Sequence, residues 1–207
     1  MSCLILKGDP EGIKQASAII LKGGVIAFPT ETFYGLGAEA FNEQALRRIF
    51  EIKGREEGKP LLLLLAEKTW VAPLVKRIPP LAQKLMDNFW PGPLTLVFEA
   101  QTHLSPLITG NTGKVGLRIS SNSLTQKLVQ TVGKPITGTS ANLTGEPSLS
   151  TAQEVMETLG NKVEAILNGG KTAGGLGSTV LDISGPSPMI IREGAIPSKV
   201  LAPFLIR

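Results

Sequence analysis

The stretch GVIAFPTETFYGLG, residues 24–37, joins a short apolar run to a group of polar residues and glycines. The run GVIAF has the length and the aliphatic character of a buried strand. A Thr-Glu-Thr segment follows it at residues 30–32, and Gly35 and Gly37 come after an aromatic pair. One glycine or proline is enough for a plain turn, so this stretch carries more polar chemistry than a turn requires. Taken alone, it is best explained by threonine hydroxyls that cap the turn through local backbone hydrogen bonds.

Along the rest of the chain, apolar residues recur with the period of a helix in some segments and with the character of a strand in others. This mixture favours an α/β fold. Helices are predicted at residues 10–22, 42–53, 81–90, 123–132, 151–159 and 197–205. Strands are predicted at residues 24–28, 61–65, 94–100, 115–120, 135–140, 165–169, 178–183 and 189–193. Some strands are separated by helices and others by short loops, so we expect a mixed parallel and antiparallel sheet with flanking helices. No linker or repeat divides the sequence, which predicts a single domain over residues 1–207.

The composition argues against several classes of protein. The 207 residues include one cysteine, Cys3, and one histidine, His103, so an internal disulfide is excluded and a thiol and imidazole zinc site nearly so. His103 lies in a polar, loop-like stretch and is a weak candidate for nucleophilic catalysis. No apolar run reaches the roughly 18 residues of a membrane span, and no signal peptide is recognisable, so we expect a cytoplasmic protein without membrane contact. The net charge of +4 suits a nucleotide or RNA partner, but on charge alone a solvated basic surface is the better explanation.

Two arginines lie inside predicted strands, where burying a guanidinium is costly. Arg118 is within VGLRIS, and Arg192 closes MIIRE. Each needs an anionic ligand unless it forms an internal salt bridge or lies on an edge strand and reaches solvent, and for either arginine taken singly one of these two structural explanations is preferred. Hydroxyl residues also follow several predicted strands, at the ends where α/β sheets tend to bind ligands. Together with the basic segment KGREEGK at residues 53–59, these features predict a site for phosphate and carboxylate groups.

The common nucleotide-binding motifs are absent. NGGKT at residues 168–172 contains the Gly-Lys-Thr end of a phosphate loop, but Ala165 stands where that motif needs its first glycine. No G-x-G-x-x-G segment fits between a strand and a helix either. A bound nucleotide would therefore be held by a different arrangement.

Seven motifs are similar, in order and spacing, to those of one known family: FPTETFYGLG, KGREEGKP, WPGPLTLVF, VGLRIS, TSANLTGEPS, STVLD and IREG. Over about residues 10–196 the chain resembles the YrdC/TsaC family, the threonylcarbamoyl-AMP synthases, in their short single-domain form. The resemblance implies a twisted mixed α/β sheet with a concave basic surface. It also implies a nucleotidyltransferase that makes threonylcarbamoyl-AMP from L-threonine, bicarbonate and ATP, with Mg²⁺ carried by ATP and pyrophosphate released. Transfer proteins of the TsaD, TsaB and TsaE type would then pass the threonylcarbamoyl group to an adenosine of tRNA.

The resemblance implies roles for individual residues. The family's K-x-R pair, Lys53 and Arg55, is expected to face the ATP phosphates and to be catalytic. The expected contacts of L-threonine are Thr30, Thr32, Arg118, Gly138 and Ser178. The expected contacts of ATP are Arg55, Lys59, Lys114, Ser140, Asn142, Ser148 and Arg192. No dedicated metal ligand is expected. On this interpretation the opening stretch delivers hydroxyls to the threonine pocket, and its two glycines let the chain bend away without an obstructing Cβ.

Two residues depart from the family pattern, and some alternatives stay open. Glu56 stands where many members have proline, and Leu64 stands where longer members have a histidine. Glu31 has no assigned role and is either a structural carboxylate or a group near the reacting atoms. The alternative functions are an RNA-binding module for double-stranded RNA or ribosome maturation, an inactive relative, or a related carbamoyl-transferring domain. Direct contact with tRNA is also left open by the sequence.

Overall fold

The structure is a computed structural model that describes residues 3–205. Its strands are β1 (Leu4–Lys7), β2 (Ile26–Pro29), β3 (Tyr34–Gly37), β4 (Leu62–Leu64), β5 (Leu94–Glu99), β6 (Lys114–Arg118), β7 (Ile136–Thr137), β8 (Thr139–Ser140), β9 (Ala165–Asn168), β10 (Thr179–Asp182) and β11 (Met189–Arg192). Its helices are α1 (Pro10–Leu21), α2 (Glu43–Lys53), α3 (Pro80–Phe89), α4 (Pro106–Thr109), α5 (Ser123–Val132), α6 (Ala152–Leu159) and α7 (Ser198–Leu205). Over these residues no helix has the length and apolar character needed to cross a membrane.

The strands form two mixed sheets. One has five strands in the order β1-β9-β2-β3-β8, and the other has six in the order β11-β10-β5-β6-β4-β7. Each sheet combines parallel pairs, such as β1 with β9 and β10 with β5, with antiparallel pairs, such as β2 with β3 and β5 with β6. The mixed α/β class predicted from the sequence is confirmed, but the strands are divided between two hydrogen-bonded sheets where one was expected.

The segment predicted as one strand over residues 135–140 is where the chain passes between the sheets. Before Gly138, β7 pairs with β4 in the six-stranded sheet, and after it β8 pairs with β3 in the five-stranded sheet. A Cβ at Gly138 would lie 2.7 Å from Cγ of Leu64, which is closer than packed carbons approach, so glycine is needed here. Both halves of the segment are extended, so the sequence pattern does not show the change of sheet.

Gly35 and Gly37 lie within β3 and not at a bend, so the expectation that they let the chain bend away was wrong. They pair with Phe28 and Ile26 of β2 in an antiparallel hairpin. A Cβ at Gly37 would lie 2.5 Å from the Phe28 ring, so this glycine makes room for the aromatic side chain. The hairpin was missed because two glycines weaken the strand pattern of β3.

Helix starts follow the capping signals in the sequence. Oδ1 of Asn42 accepts the N–H of Ala45 at 3.0 Å, and Thr151 and Glu154 form a capping box at the start of α6. The four-residue elements β1 and α4 were not predicted, because segments this short carry little periodicity. Helices α1 and α5 pack on the five-stranded sheet through aliphatic side chains, as the small number of aromatic residues indicated.

Candidate active site

A cavity of about 730 Å³ is lined by strands of both sheets, and its volume is typical of a small-molecule site. The register aligns Val97 of β5 with Gly116 of β6 and with Asp182 of β10. Residues two positions away on these strands face the same side of the sheet. This face forms the floor of the cavity and consists of Thr95, Val97, Lys114, Gly116, Arg118, Ser178, Val180 and Asp182.

The structure brings together most of the residues predicted from the sequence. Those that line the cavity are Thr30, Thr32, Arg55, Lys114, Arg118, Gly138, Ser140, Ser148, Ser178 and Arg192. Lys53, Lys59 and Asn142 are not among the residues that line it. Sequence reasoning missed Thr95 and Asp182, although the alternation of side chains along LTLVF and STVLD was a signal that could have found them.

Arg118 is a buried cation with incomplete hydrogen bonds. Its Nη2 lies 3.0 Å from Oε2 of Glu31, and the Ser120 hydroxyl donates to the same carboxylate oxygen. Beyond this ion pair, Nε and Nη2 of Arg118 and Oε1 of Glu31 are buried without hydrogen-bond partners among residues 3–205. Burial lowers the pKa of Arg118, and Glu31 opposes that lowering. The guanidinium thus carries buried N–H groups whose hydrogen bonds are incomplete, on a residue that lines the cavity.

Thr30 and Thr32 occupy the turn of the β2–β3 hairpin in different ways. Oγ1 of Thr30 accepts the N–H groups of Thr32 and Phe33, at 3.2 and 3.3 Å, and its hydroxyl contacts the Phe33 carbonyl oxygen at 2.7 Å. Local capping, the explanation preferred for this stretch alone, therefore accounts for Thr30. Oγ1 of Thr32 contacts only Oγ1 of Thr30, at 3.1 Å, among the described residues, and it remains able to bind a ligand in the cavity.

Lys53 faces the protein interior, although it was expected to face phosphates. Its Nζ donates to the carbonyl oxygens of Ser140 and Asn142 and, at 3.0 Å, to Oδ1 of Asn142. Three acceptors use all three N–H groups of the ammonium. Burial and the neighbouring Arg55 charge lower the pKa of Lys53 to about 8, so the ammonium is still protonated at neutral pH. Lys53 therefore holds the turn at residues 140–142 in place.

Asn142 was expected on the nucleotide side, but its polar atoms are used within the same turn. Oδ1 accepts the Ser140 hydroxyl at 2.6 Å as well as Lys53, and Nδ2 donates to the carbonyl oxygen of Glu146. The side chain is buried and does not line the cavity. Asn142 thus fixes the position of Ser140, which lines the cavity.

Gly54 explains why a lysine and an arginine two residues apart point in different directions. It has a φ of 58°, and its N–H and that of Arg55 bind carbonyl oxygens in the last turn of α2. This cap ends the helix, so that Lys53 faces the interior and Arg55 lines the cavity. The Arg55 guanidinium donates to the Pro60 carbonyl oxygen at 2.8 Å and to the Thr139 hydroxyl at 3.3 Å, and its Nε is buried without a partner.

Lys59 does not reach the cavity lining, contrary to the expectation that it contacts ATP. Its ammonium is exposed and lies 3.9 Å from the carboxylate of Glu56, the residue that stands where many family members have proline. An exposed pair of this kind contributes little to stability. Lys59 is therefore a surface side chain beside Glu56 in this structure.

Lys114 and Asp182 form an ion pair at the cavity floor, with 2.7 Å between Nζ and Oδ2. The other carboxylate oxygen accepts the backbone N–H and the hydroxyl of Ser184. Burial raises the pKa of Asp182, but the hydrogen bonds from Lys114 and Ser184 outweigh it and the net pKa is lowered. Within residues 3–205, no group of three or more His, Cys, Asp or Glu side chains is placed to hold a metal ion.

Known proteins resemble this chain along most of its length. Residues 18–194 match the sequence profile of the Sua5/YciO/YrdC family, which is described as telomere recombination. A threonylcarbamoyl-AMP synthase of Pyrococcus abyssi is 41% identical over 185 residues, which are 89% of this chain and 54% of that protein. One from Vibrio cholerae is 37% identical over 187 residues, which are 89% of this chain and 98% of that protein.

Solved structures show the same fold. The crystal structure of P. abyssi Sua5 complexed with L-threonine matches with a TM-score of 0.94 and 37% identity, over 100% of this chain and 62% of that chain. The chain spans about half the length of the Pyrococcus synthase in the sequence comparison and almost the whole length of the Vibrio one.

Proposed function

Because the chain belongs to the Sua5/YciO/YrdC family, we propose that it is a threonylcarbamoyl-AMP synthase. Such an enzyme converts L-threonine, bicarbonate and ATP into threonylcarbamoyl-AMP and pyrophosphate. The Vibrio relative supports this activity, because it bears that name and matches this chain over nearly its whole length. The P. abyssi Sua5 complex supports L-threonine as a substrate.

The observation that carries the proposal is the buried cation Arg118, whose hydrogen bonds among the described residues are incomplete, in a cavity that is also lined by Thr32 and Ser178. A guanidinium binds a carboxylate through two parallel hydrogen bonds. We infer that the α-carboxylate of threonine accepts from Arg118, while the two hydroxyls bind other polar atoms of the amino acid. Gly138 and Thr30 border the same pocket. Thr30 acts there by fixing the turn that presents Thr32.

We place ATP in the part of the cavity that contains Arg55, Lys114 and Arg192, which are the cations besides Arg118 among the described lining residues. Arg55 and Arg192 would bind its phosphates, and Ser140, Ser148 and Lys114 border the same space. Among the described residues that line the cavity, Asp182 is the one carboxylate, and both its oxygens already accept hydrogen bonds. We infer that Mg²⁺ enters with ATP as part of the substrate, held by phosphate oxygens and water.

The proposed chemistry depends on orientation and charge neutralisation. The threonine amine attacks the carbon of bicarbonate, and loss of water leaves a carbamate. A carbamate oxygen then attacks the α-phosphorus of ATP, the bond to the bridging oxygen of the β-phosphate breaks, and pyrophosphate leaves with that electron pair. Arg55 and Arg192 neutralise the negative charge that develops on the phosphates. No side chain has to form a covalent intermediate.

We further propose that the chain is one domain that acts in the cytoplasm in tRNA modification. The family profile supports the single domain, because it spans most strands of both sheets. Threonylcarbamoyl-AMP is an activated mixed anhydride, so a separate transferase of the TsaD, TsaB and TsaE type would consume it.

The test is pyrophosphate release by the purified protein with ATP, Mg²⁺ and bicarbonate, in the presence and absence of L-threonine, with L-serine as a matched substrate. We expect release that requires both threonine and bicarbonate. Folded protein that releases no pyrophosphate would contradict the proposal. A salt-dependent titration with double-stranded RNA would then test the RNA-binding alternative, because phosphate contacts weaken steeply with salt.

Thr32→Val is expected to raise the KM for threonine about fivefold and to leave the KM for ATP nearly unchanged. The substitution keeps the shape of the side chain but removes a hydroxyl that faces the cavity, and one such hydrogen bond is worth about 1 kcal/mol. The measurement is initial pyrophosphate release with each substrate varied in turn. Thr131→Val, on the exposed face of α5, is the matched control. Equal increases in both KM values would contradict a threonine-specific role.

We predict that ATP binding weakens as the pH rises through about 8, because Lys53 loses its proton there. A neutral amine has two N–H groups in place of three, so the turn at residues 140–142 loses a hydrogen bond and a nearby positive charge. About one tenth of the Lys53 side chains stay protonated at pH 9, so the Kd for ATP should rise up to about tenfold from pH 7 to pH 9. Calorimetric titration without threonine or bicarbonate measures this change.

Two substitutions at Lys53 serve as controls for the pH dependence. Lys53→Arg stays charged over the whole range and Lys53→Met is never charged, so the Kd for ATP of each should be independent of pH between 7 and 9. The same pH dependence in these variants as in the wild type would assign the effect to another group.

A further inference from the structure

We propose that Thr95 is a positioning residue, which acts through Ser178 so that one hydroxyl donor faces an anionic oxygen of the threonine-derived substrate. This inference rests on the proposed function and adds a residue that neither the motifs nor the resemblance single out. Thr95 lies in β5, is 4% exposed, and lines the cavity. It shares a face of the sheet with Arg118, because the neighbouring residues Leu96 and Leu117 pair in the antiparallel register.

Ser178 is held by hydrogen bonds from two sides. Its Oγ lies 2.9 Å from Oγ1 of Thr95, and both side chains are buried. Nη2 of Arg192 donates to the same Oγ at 3.2 Å, and Nε and Nη2 donate to the Ser178 carbonyl oxygen at 3.2 and 2.9 Å. The hydroxyl of Ser178 therefore lies between an arginine that can only donate and a threonine that can donate or accept.

The hydrogen-bonded pair of Thr95 and Ser178 has one hydroxyl proton left for a ligand. Thr95 and Ser178 have two hydroxyl protons, and the hydrogen bond between them uses one. Arg192 already fills one acceptor position on Ser178, so the second proton remains for a group in the cavity. If Thr95 donates to Ser178, the free proton is on Ser178. If Ser178 donates to Thr95, the free proton is on Thr95. In either case the pair offers one donor, beside the cation Arg118.

One donor next to a guanidinium suits an anionic oxygen, which in the proposed reaction is a carboxylate or carbamate oxygen of the threonine-derived substrate. When that oxygen accepts the Ser178 proton, the hydrogen bond between the two hydroxyls requires Thr95 to be the donor. Ser178 Oγ then accepts from both Thr95 and Arg192 while it donates to the substrate. Without the Thr95 hydroxyl, Arg192 fills one acceptor position and nothing fixes the direction of the Ser178 proton. Thr95 thus acts on the substrate through Ser178.

The experiment is a double-mutant cycle with Thr95→Val, Ser178→Ala and the double variant. Pyrophosphate release gives the KM for each substrate, and calorimetry gives the Kd for L-threonine in the absence of turnover. We expect Thr95→Val to raise the KM and the Kd for threonine about tenfold while the KM for ATP stays within about twofold. Added to Ser178→Ala, the same substitution should have no further effect. Thr95→Ser keeps the hydroxyl and should retain wild-type values.

Thr137→Val is the matched control, because Thr137 is fully buried and, among the described residues, its hydroxyl binds backbone groups of Leu36 and Ala38 and no other group. It should lower the melting temperature without changing the threonine constants. Additive effects of Thr95→Val and Ser178→Ala, or threonine constants in Thr95→Val equal to those of the wild type, would overturn the role of Thr95 alone. A folded wild-type protein that neither binds L-threonine nor releases pyrophosphate would overturn the proposed function, and this inference with it.

Discussion

Arg118→Met is expected to lower threonine-dependent pyrophosphate release at least about 100-fold and to destabilise the protein by about 3 kcal/mol. Methionine fills a similar volume but offers no N–H group to a carboxylate. The loss of activity follows from the loss of two charge-assisted hydrogen bonds to the substrate. The loss of stability has a separate cause, because the Glu31 carboxylate, whose side chain is only 14% exposed, would lose its cationic partner.

A second variant separates these two effects. In Glu31→Gln/Arg118→Met the buried charge is gone, and the amide of residue 31 can still accept the Ser120 hydroxyl. The free energy of unfolding in urea should return to within about 1 kcal/mol of the wild-type value, whereas activity should stay at the level of Arg118→Met. Recovery of threonine-dependent activity in the double variant would show that Arg118 acts only through stability and does not bind the substrate.

Residue type and strand periodicity together led to the two strand arginines of the candidate site. A guanidinium buried in an apolar strand needs an anion, and Arg118 has one in Glu31. Arg192 is instead exposed on the edge strand β11, where it donates to Ser178, and both arginines line the cavity. What the sequence could not supply is the partner of each arginine. Glu31 lies 87 residues before Arg118 in the chain, and its approach depends on how the β2–β3 hairpin of one sheet meets β6 of the other. The role left undecided for Glu31 is therefore that of an ion-pair partner.

The direction of a side chain after a helix end was also beyond the sequence pattern. Lys53 and Arg55 are two residues apart and looked like one phosphate-binding pair. The left-handed conformation of Gly54 separates them, so Lys53 supports the turn that carries Ser140 and Arg55 reaches the cavity. The end of this helix was predicted at the right residue, so the error lay in the role assigned to Lys53 as half of the K-x-R pair, because helical periodicity does not show the left-handed turn at Gly54.

The change of sheet at Gly138 had a further effect on the predicted site. One strand over residues 135–140 would have placed alternate side chains on opposite faces of one sheet. The break instead brings Gly138, Thr139 and Ser140 together on the cavity wall. The glycine is required because Leu64 packs against its Cα. Leu64 stands where longer family members have a histidine, so at this position the chain has a core contact in place of a polar side chain.

Arg55→Ala is expected to raise the KM for ATP about 100-fold and to leave the KM for threonine within about threefold. The guanidinium has a buried Nε without a partner and is anchored to the Pro60 carbonyl oxygen and the Thr139 hydroxyl. It is therefore held in place before the nucleotide binds, and a charge-assisted hydrogen bond to phosphate is worth about 1.5–3 kcal/mol. Initial rates of pyrophosphate release with ATP varied at saturating threonine and bicarbonate measure the effect.

The matched control is Arg47→Ala, in helix α2, which ends two residues before Arg55. Arg47 forms an exposed ion pair with Glu57 at 2.9 Å and lies outside the cavity lining, so its removal should change neither KM and should change stability by less than about 1 kcal/mol. If Arg47→Ala and Arg55→Ala weaken ATP use equally, the effect belongs to the general positive charge of this surface and not to a phosphate contact. If only Arg55→Ala does so, and its melting temperature matches that of Arg47→Ala, the contact is specific. The second outcome is the one expected, because α2 ends at residue 53 and Arg55 alone of these two side chains reaches the cavity.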